Sequence, residues 1–516
     1  MHEVRTSDIR EYAIPAAIFI ACVLTRLPFT SRLLYNMDSV QFALALDHFD
    51  VTLHQPQPPG YFLYVVMGRL ARLITHDDNA ALVAVSVLFS GLAAVMLYLL
   101  ARAIFGMSTG LIASVLVMTS PLCWFHGEVA LSYMPEAFMS LLVAYLCYRV
   151  LKGEPGLFWA ASVALAVAGG IRQNTMVFLF PMWLYSMKGL GFKRALAGLF
   201  IFVLTVFVWS APMLAAAGGY EKYHAALDAH WNDANWRGIH AHWILFNARD
   251  MAYFILSGLV LALVPLVDYA FSALTGRTSP EMDRETIYFF LLWLLPPFLF
   301  HLIIFSHTAV PGHSLIYMGG LVILSARAVQ HVASRIAVMG PGISSGRTAA
   351  AITVTAGAVN TLVFLFAPYP LSAKSIRAHD AMLSRYIEAV RSNFSPADTE
   401  IIGSGRFILS YRHAMYYLPE FKVFNTFFLT TPDGPRTLWG RSRDTGKTAS
   451  ITFGPRTTHV VDFINYNKPY DREFPTGAKI LELGDGDLLV YYDDIAELKN
   501  VSRIAPFLSS QIQRRP

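Results

Sequence analysis

Between Tyr12 and Ala367 the chain returns repeatedly to apolar runs of membrane-spanning length. An α-helix needs about 20 apolar residues to cross the hydrocarbon layer, where each backbone N–H and C=O must be satisfied within the segment. By that measure the runs predict about eleven spanning helices, near 12–30, 79–103, 108–125, 134–151, 157–171, 174–188, 196–217, 250–274, 286–305, 312–328 and 348–367. Only 15% of the 516 residues are charged, against about 25% in soluble domains. The fold class expected is an all-α polytopic membrane domain over 1–369, followed by a small extracytoplasmic α/β or mixed domain over 370–516. The net charge of +5 fits basic cytoplasmic loops and argues against a nucleic-acid partner. Three cysteines, Cys22, Cys123 and Cys147, all lie in apolar runs. Their spacing defines neither a disulfide framework nor a metal site. The first run reads as an uncleaved helix, because no strongly basic leader and no small-residue cleavage site accompany it.

With the N-terminus in the cytoplasm, alternation collects Arg102, Arg149, Lys152, Lys188, Lys193, Arg194, Arg277, Arg284, Arg327, Arg335 and Arg347 on the inner side. The short loops 126–133 and 306–311 on the other side hold no Lys or Arg. This is the positive-inside pattern, and it predicts a multi-pass membrane protein with a cytoplasmic N-terminus and an external C-terminal domain. Two external loops are then large, 31–78 and 218–249. The first ends in YFLYVVMGRLARLI (61–74), whose period predicts an amphipathic helix at the interface. GGIRQN (169–174) interrupts two short apolar runs, a break tolerated where it faces protein or a water-filled cavity. After residue 370 short strand-like runs follow at 400–405, 458–464, 478–484 and 487–493, with Asp-Gly turn signals at 433–434 and 485–486. This C-terminal region shows no phosphate loop, GxGxxG or nucleophile elbow.

Ionisable residues at a membrane are costly and tend to carry function. On the expected outer side they include Asp38, Glu128, Arg172 and Arg237. Taken alone, Asp38 also suits a helix N-cap, Glu128 a solvated loop acid, and Arg172 a snorkelling arginine. His224, His230, His240 and His242 do not have the spacing that defines a zinc site.

Read in order, Asp38–Ser39, then Pro58-Pro59-Gly60-Tyr61, then Glu128–Val129 resemble the GT-C membrane glycosyltransferases. The likeness is to the branch of protein O-mannosyltransferases and bacterial lipid-linked sugar transferases. It covers about residues 12–190 and departs from the family pattern in three places. Gln57 stands where the motif has histidine, with His54 three residues earlier, Phe62 replaces a proline, and Ala130 replaces a tyrosine that returns at Tyr133.

The resemblance implies transfer of a sugar from a polyprenyl-phosphate donor to a glycan, lipid or protein hydroxyl on the outer face, by inverting displacement. Asp38 would be the base and Glu128 a second carboxylate that positions the acceptor, tunes Asp38 or holds a divalent metal. Arg172 or Arg237 would face the lipid phosphate. Arg69 would contact the headgroup, and His54, Gln57 and Tyr61 the sugar or lipid. The competing readings are a transporter or flippase for a lipid-linked substrate, a surface-polysaccharide polymerase or ligase, and a noncatalytic membrane assembly protein.

Overall fold

The computed structural model describes residues 6–234, 240–276, 282–305, 310–340, 342–368, 370–404, 408–431, 434–442, 448–449, 453–465 and 477–493. Among them eight helices are long and apolar enough to cross a membrane: Tyr12–Phe29, Asp78–Phe105, Tyr133–Leu151, Phe192–Ala216, Ala241–Leu274, Arg284–Ile303, Pro311–Met339 and Ser345–Phe366. The protein is an integral membrane protein. The other three runs expected to span form shorter helices. Residues 108–125 split into Met107–Thr119 and Pro121–His126, because Pro121 has no N–H for the preceding turn and starts a new helix instead. Residues 157–188 split into Phe158–Ile171 and Gln173–Ser186.

By its contacts the chain divides into two compact units, Met1–Thr30 with Pro58–Ser375, and Ser31–Gln57 with Ile376–Pro516. In the first unit, small residues let helices approach closely. A Cβ on Gly198 would lie 2.1 Å from the Phe158 ring, and Phe158 in turn stacks on Trp183 with centroids 5.4 Å apart. Polar side chains bridge the buried helices. Ser140 Oγ donates to Ile316 O at 2.7 Å and accepts from Trp293 Nε1 at 2.9 Å, so three helices share one hydroxyl. At one end of the bundle Lys152 pairs with Asp283 and Glu285, and Lys188 also pairs with Glu285.

The second unit is built on a seven-stranded mixed sheet of β1 (Thr399–Ser404), β2 (Lys422–Thr431), β3 (Gly434–Ser442), β4 (Thr448–Ala449), β5 (His459–Asp462), β6 (Lys479–Gly484) and β7 (Asp487–Tyr492). The order is β4-β3-β2-β1-β5-β7-β6. β1 lies parallel to β2 and β5, and the other pairs are antiparallel. A parallel pair needs a crossover, and the helix Tyr411–Tyr417 supplies it between β1 and β2. The β6–β7 hairpin turns at Asp485 and Gly486, both at positive φ, as a two-residue hairpin turn requires. The helix Ala373–Asn393 is polar outside and apolar inside. Leu383, Tyr386 and Val390 meet Ile401 of β1, Val423 of β2, Val461 of β5 and Leu489 of β7 in one core. Residues 31–57 also belong to this unit and contribute the helix Met37–Asp47.

Candidate functional site

The helix Phe158–Ile171 stops at Arg172, whose backbone is extended (φ −155°, ψ 111°), and a new helix begins at Gln173. Arg172 N donates to Ala168 O, and Arg172 O accepts from Thr175 N. The break therefore leaves the residue hydrogen-bonded on both sides while turning its side chain inward. That side chain is buried, with 5% of the residue exposed, so it does not snorkel.

Its partners come from two other places in the sequence. Glu136 Oε2 lies 3.4 Å from Arg172 Nε, and Glu136 Oε1 accepts from Thr175 Oγ1 at 2.9 Å. Tyr133 begins the helix Tyr133–Leu151. A spacing of three residues puts Tyr133 and Glu136 on one face. The guanidinium sits 4.7 Å from the Tyr133 ring centre and 5.6 Å from that of Tyr61. A charged group between aromatic faces is attracted by the ring quadrupoles. Burial works against the charge, and the Glu136 carboxylate and the two tyrosine rings compensate for it.

Tyr61 reaches this place through the Pro-Pro-Gly-Tyr turn. Gly60 and Tyr61 have φ of 116° and 45°. For tyrosine this is a costly conformation that the surroundings must enforce. Pro59 O accepts from Gln173 Nε2 and from Tyr223 Oη, each at 3.0 Å. These bonds tie the turn to the residue after Arg172 and to the helix Tyr220–Ala234. On its other side the Tyr133 ring meets His126 and His313 at centroid distances of 5.2 and 5.6 Å.

The remaining predicted residues are distributed as follows. Glu128 lies in the turn before Tyr133 and is 0% exposed, so it is not a solvated loop acid. Ser86 Oγ holds that turn through Val129 O and Leu131 O. Arg69 is half-buried on the helix Phe62–Thr75. Asp38, His54 and Gln57 belong to the second unit. Asp38 is half-buried in the first turn of its helix and is not the cap. The cap is Asn36, which accepts from Ser39 N at 3.0 Å. Asp50 caps the turn Val51–Leu53 through Thr52 N, and His54 closes it at a positive φ. Arg237 lies outside the described residues. His240 and His242 stack on each other at 5.7 Å. Among the described residues no group of three His, Cys, Asp or Glu side chains is arranged to hold a metal.

Sequence reasoning missed Glu136 and Thr175. The available signal was an acid one turn into an apolar run, a costly placement that invites a functional reading.

No protein-family model matches the chain. A curated relative, the undecaprenyl phosphate-alpha-4-amino-4-deoxy-L-arabinose arabinosyl transferase 2 of Proteus mirabilis, is 24% identical over 347 residues, which is 61% of this chain and 59% of that protein. The chain thus matches less than two thirds of that relative's length. Crystal structures of ArnT from Cupriavidus metallidurans align over 95% of this chain and 99% of theirs. The undecaprenyl phosphate-bound form gives a TM-score of 0.51 at 12% identity, and the apo form 0.50 at 13%. The chain therefore shares its fold with these ArnT structures, over nearly the whole of both chains.

Proposed function

We propose that the protein transfers a sugar from a polyprenyl-phosphate donor to an acceptor hydroxyl at the outer face of the membrane. The observation that carries this reading is the Arg172 cluster within a GT-C fold. A buried arginine is kept charged between two aromatic rings, with its Nε side occupied by Glu136. Such a fixed cation is suited to the charge that grows on a departing phosphate.

In the proposed step the acceptor oxygen attacks the anomeric carbon and forms the new glycosidic bond. The bond from that carbon to the phosphate oxygen breaks, and its electron pair leaves with polyprenyl phosphate. The acceptor proton passes to the Asp38 carboxylate. A single displacement inverts the anomeric centre. Arg172 steadies the leaving phosphate, with Arg237 as a second cation. Glu128 orients the acceptor. Arg69 contacts the headgroup, and His54, Gln57 and Tyr61 contact the sugar or lipid. Phosphate is already a good leaving group, so the step needs no strong general acid, unlike glycoside hydrolysis. The chain after residue 370 takes part in selecting the acceptor.

The test supplies membranes containing the protein with labelled polyprenyl-phosphate sugars. Wild type should release polyprenyl phosphate and label an acceptor, while Asp38→Asn should lose at least about a hundredfold in rate. Full activity in Asp38→Asn would remove the base assignment. Movement of intact donor across the bilayer without cleavage would favour the transporter reading.

A further inference from the structure

Residues 31–36, just before the Asp38 helix, form neither helix nor strand, yet their backbone groups have specific side-chain partners. Arg32 N and Leu33 N donate to the two carboxylate oxygens of Asp380, at 3.0 and 3.1 Å. Leu34 N donates to Tyr417 Oη at 2.8 Å. Leu34 O lies 3.1 Å from His413 Nε2.

The tautomer of His413 follows from its other nitrogen. Ser410 N–H can only donate, and it points at His413 Nδ1 at 3.2 Å. Nδ1 must therefore accept, so Nε2 carries the proton and donates to Leu34 O. The far end of the segment is held as well, where Arg412 Nη2 donates to Leu53 O at 2.6 Å. Leu33 and Met37 pack against the apolar core of the second unit. Three consecutive amides and two carbonyls are thus met by side chains more than 300 residues away in sequence. Asp38 follows four residues after Leu34, behind the Asn36 cap.

A flexible loop could join two helices with far less. An irregular segment costs conformational entropy for every residue it orders, and here that cost is met over both ends of the segment that carries the proposed base. We propose that Asp380, His413 and Tyr417 are positioning residues, and that they clasp segment 32–34 and thereby set the orientation of Asp38. This rests on the reading of Asp38 as the base. It makes the chain after residue 376 part of the catalytic apparatus, beyond its part in acceptor choice.

Amide exchange and steady-state kinetics on the full-length protein test the clasp. In Asp380→Ala the amides of Arg32 and Leu33 should exchange about tenfold faster or more, as expected for losing hydrogen bonds to a charged acceptor. Tyr417→Phe removes only one hydroxyl, so it keeps the test valid if Asp380→Ala folds poorly. It should speed exchange at Leu34 and leave the amides of 384–393 unchanged. In both variants kcat should fall, with the KM for donor unaltered. In an Asp38→Asn background neither substitution should lower kcat further, whereas simple destabilisation would add to the loss.

Unchanged exchange at 32–34 overturns the clasp. Faster exchange with unaltered kcat overturns the positioning role, and so does an effect that adds to Asp38→Asn. A wild-type protein that transfers no sugar from any donor overturns the positioning role together with the base reading. Because exchange is read independently of turnover, the failure of the clasp and the failure of the transfer reading are told apart.

Discussion

Arg172 and Glu136 form a buried ion pair whose members depend on each other. Removing one partner of such a pair leaves an uncompensated charge and costs about 3–5 kcal/mol, whereas replacing both by apolar residues is often neutral. Glu136→Gln should therefore lower the melting temperature in detergent clearly. The double variant Glu136→Leu with Arg172→Leu should recover much of that loss while lacking the proposed transfer activity. A Glu136→Gln protein that melts like wild type would show that the pair does not hold the cluster together. Arg172 was legible in the sequence because GGIRQN breaks an apolar stretch. Glu136 was not, because it looks like the polar start of a span and its partner is 36 residues further along the chain. The N-cap of the Asp38 helix was misread for a related reason. Asn36, Asp38 and Ser39 are all competent caps by type, and only the backbone geometry chose Asn36.

Among the elements, the turn Pro311–Ser314 supports the aromatic side of the site. A Cβ on Gly312 would lie 2.3 Å from Tyr133 Cδ2, so the ring occupies space that only glycine leaves open. Gly312→Ala should push Tyr133 away from Arg172, cost about 1–3 kcal/mol as overpacking does, and reduce transfer. Wild-type melting and turnover in that variant would mean that the ring can shift without consequence. Hydropathy located all eleven apolar runs, and GGIRQN marked the break between the two short ones, but run length did not reveal that 108–125 divides in two. Pro121 starts a new helix there through backbone geometry, which an average over a window does not register. In the second unit, four strands had visible signatures. β2, β3 and β4 did not, although an Asp-Gly turn signal falls between β2 and β3. A strand such as KVFNTFFLTT has no clean alternation. Its stability comes from pairing with β1 and β3, and strand preference depends strongly on such context.

For the molecule as a whole, acid should weaken the second unit. His379 and His413 are buried there, 6.0 Å apart by ring centres, with the Tyr35 ring packed at a tilt against His379. Burial lowers the pKa of His379 from 6.5 to about 4. For His413, burial and the neighbouring His379 lower it to about 3. A folded-state pKa below the unfolded one means that the unfolded chain binds protons first as pH falls. The stability these residues contribute is complete above about pH 6.5 and declines below it, down to about 4 for His379 and about 3 for His413. Protonated His413 would also turn an N–H toward Ser410 N, which breaks the capping bond and loosens the clasp on Leu34. Melting of the protein at pH 7, 6 and 5 should show this decline, with a shallower slope in His379→Gln. A pH-independent melt over that range would contradict it. Apolar run length made a membrane protein unavoidable, since so much apolar surface has no other medium, and the order of Asp38, Pro-Pro-Gly-Tyr and Glu128 pointed to the GT-C fold. These are local and additive properties that a sequence displays directly. Which carboxylate faces Arg172, and which unit holds the Asp38 segment, were decided only by tertiary structure. Both depend on groups dozens to hundreds of residues apart, whose desolvated charges and backbone amides find partners only once the chain is packed.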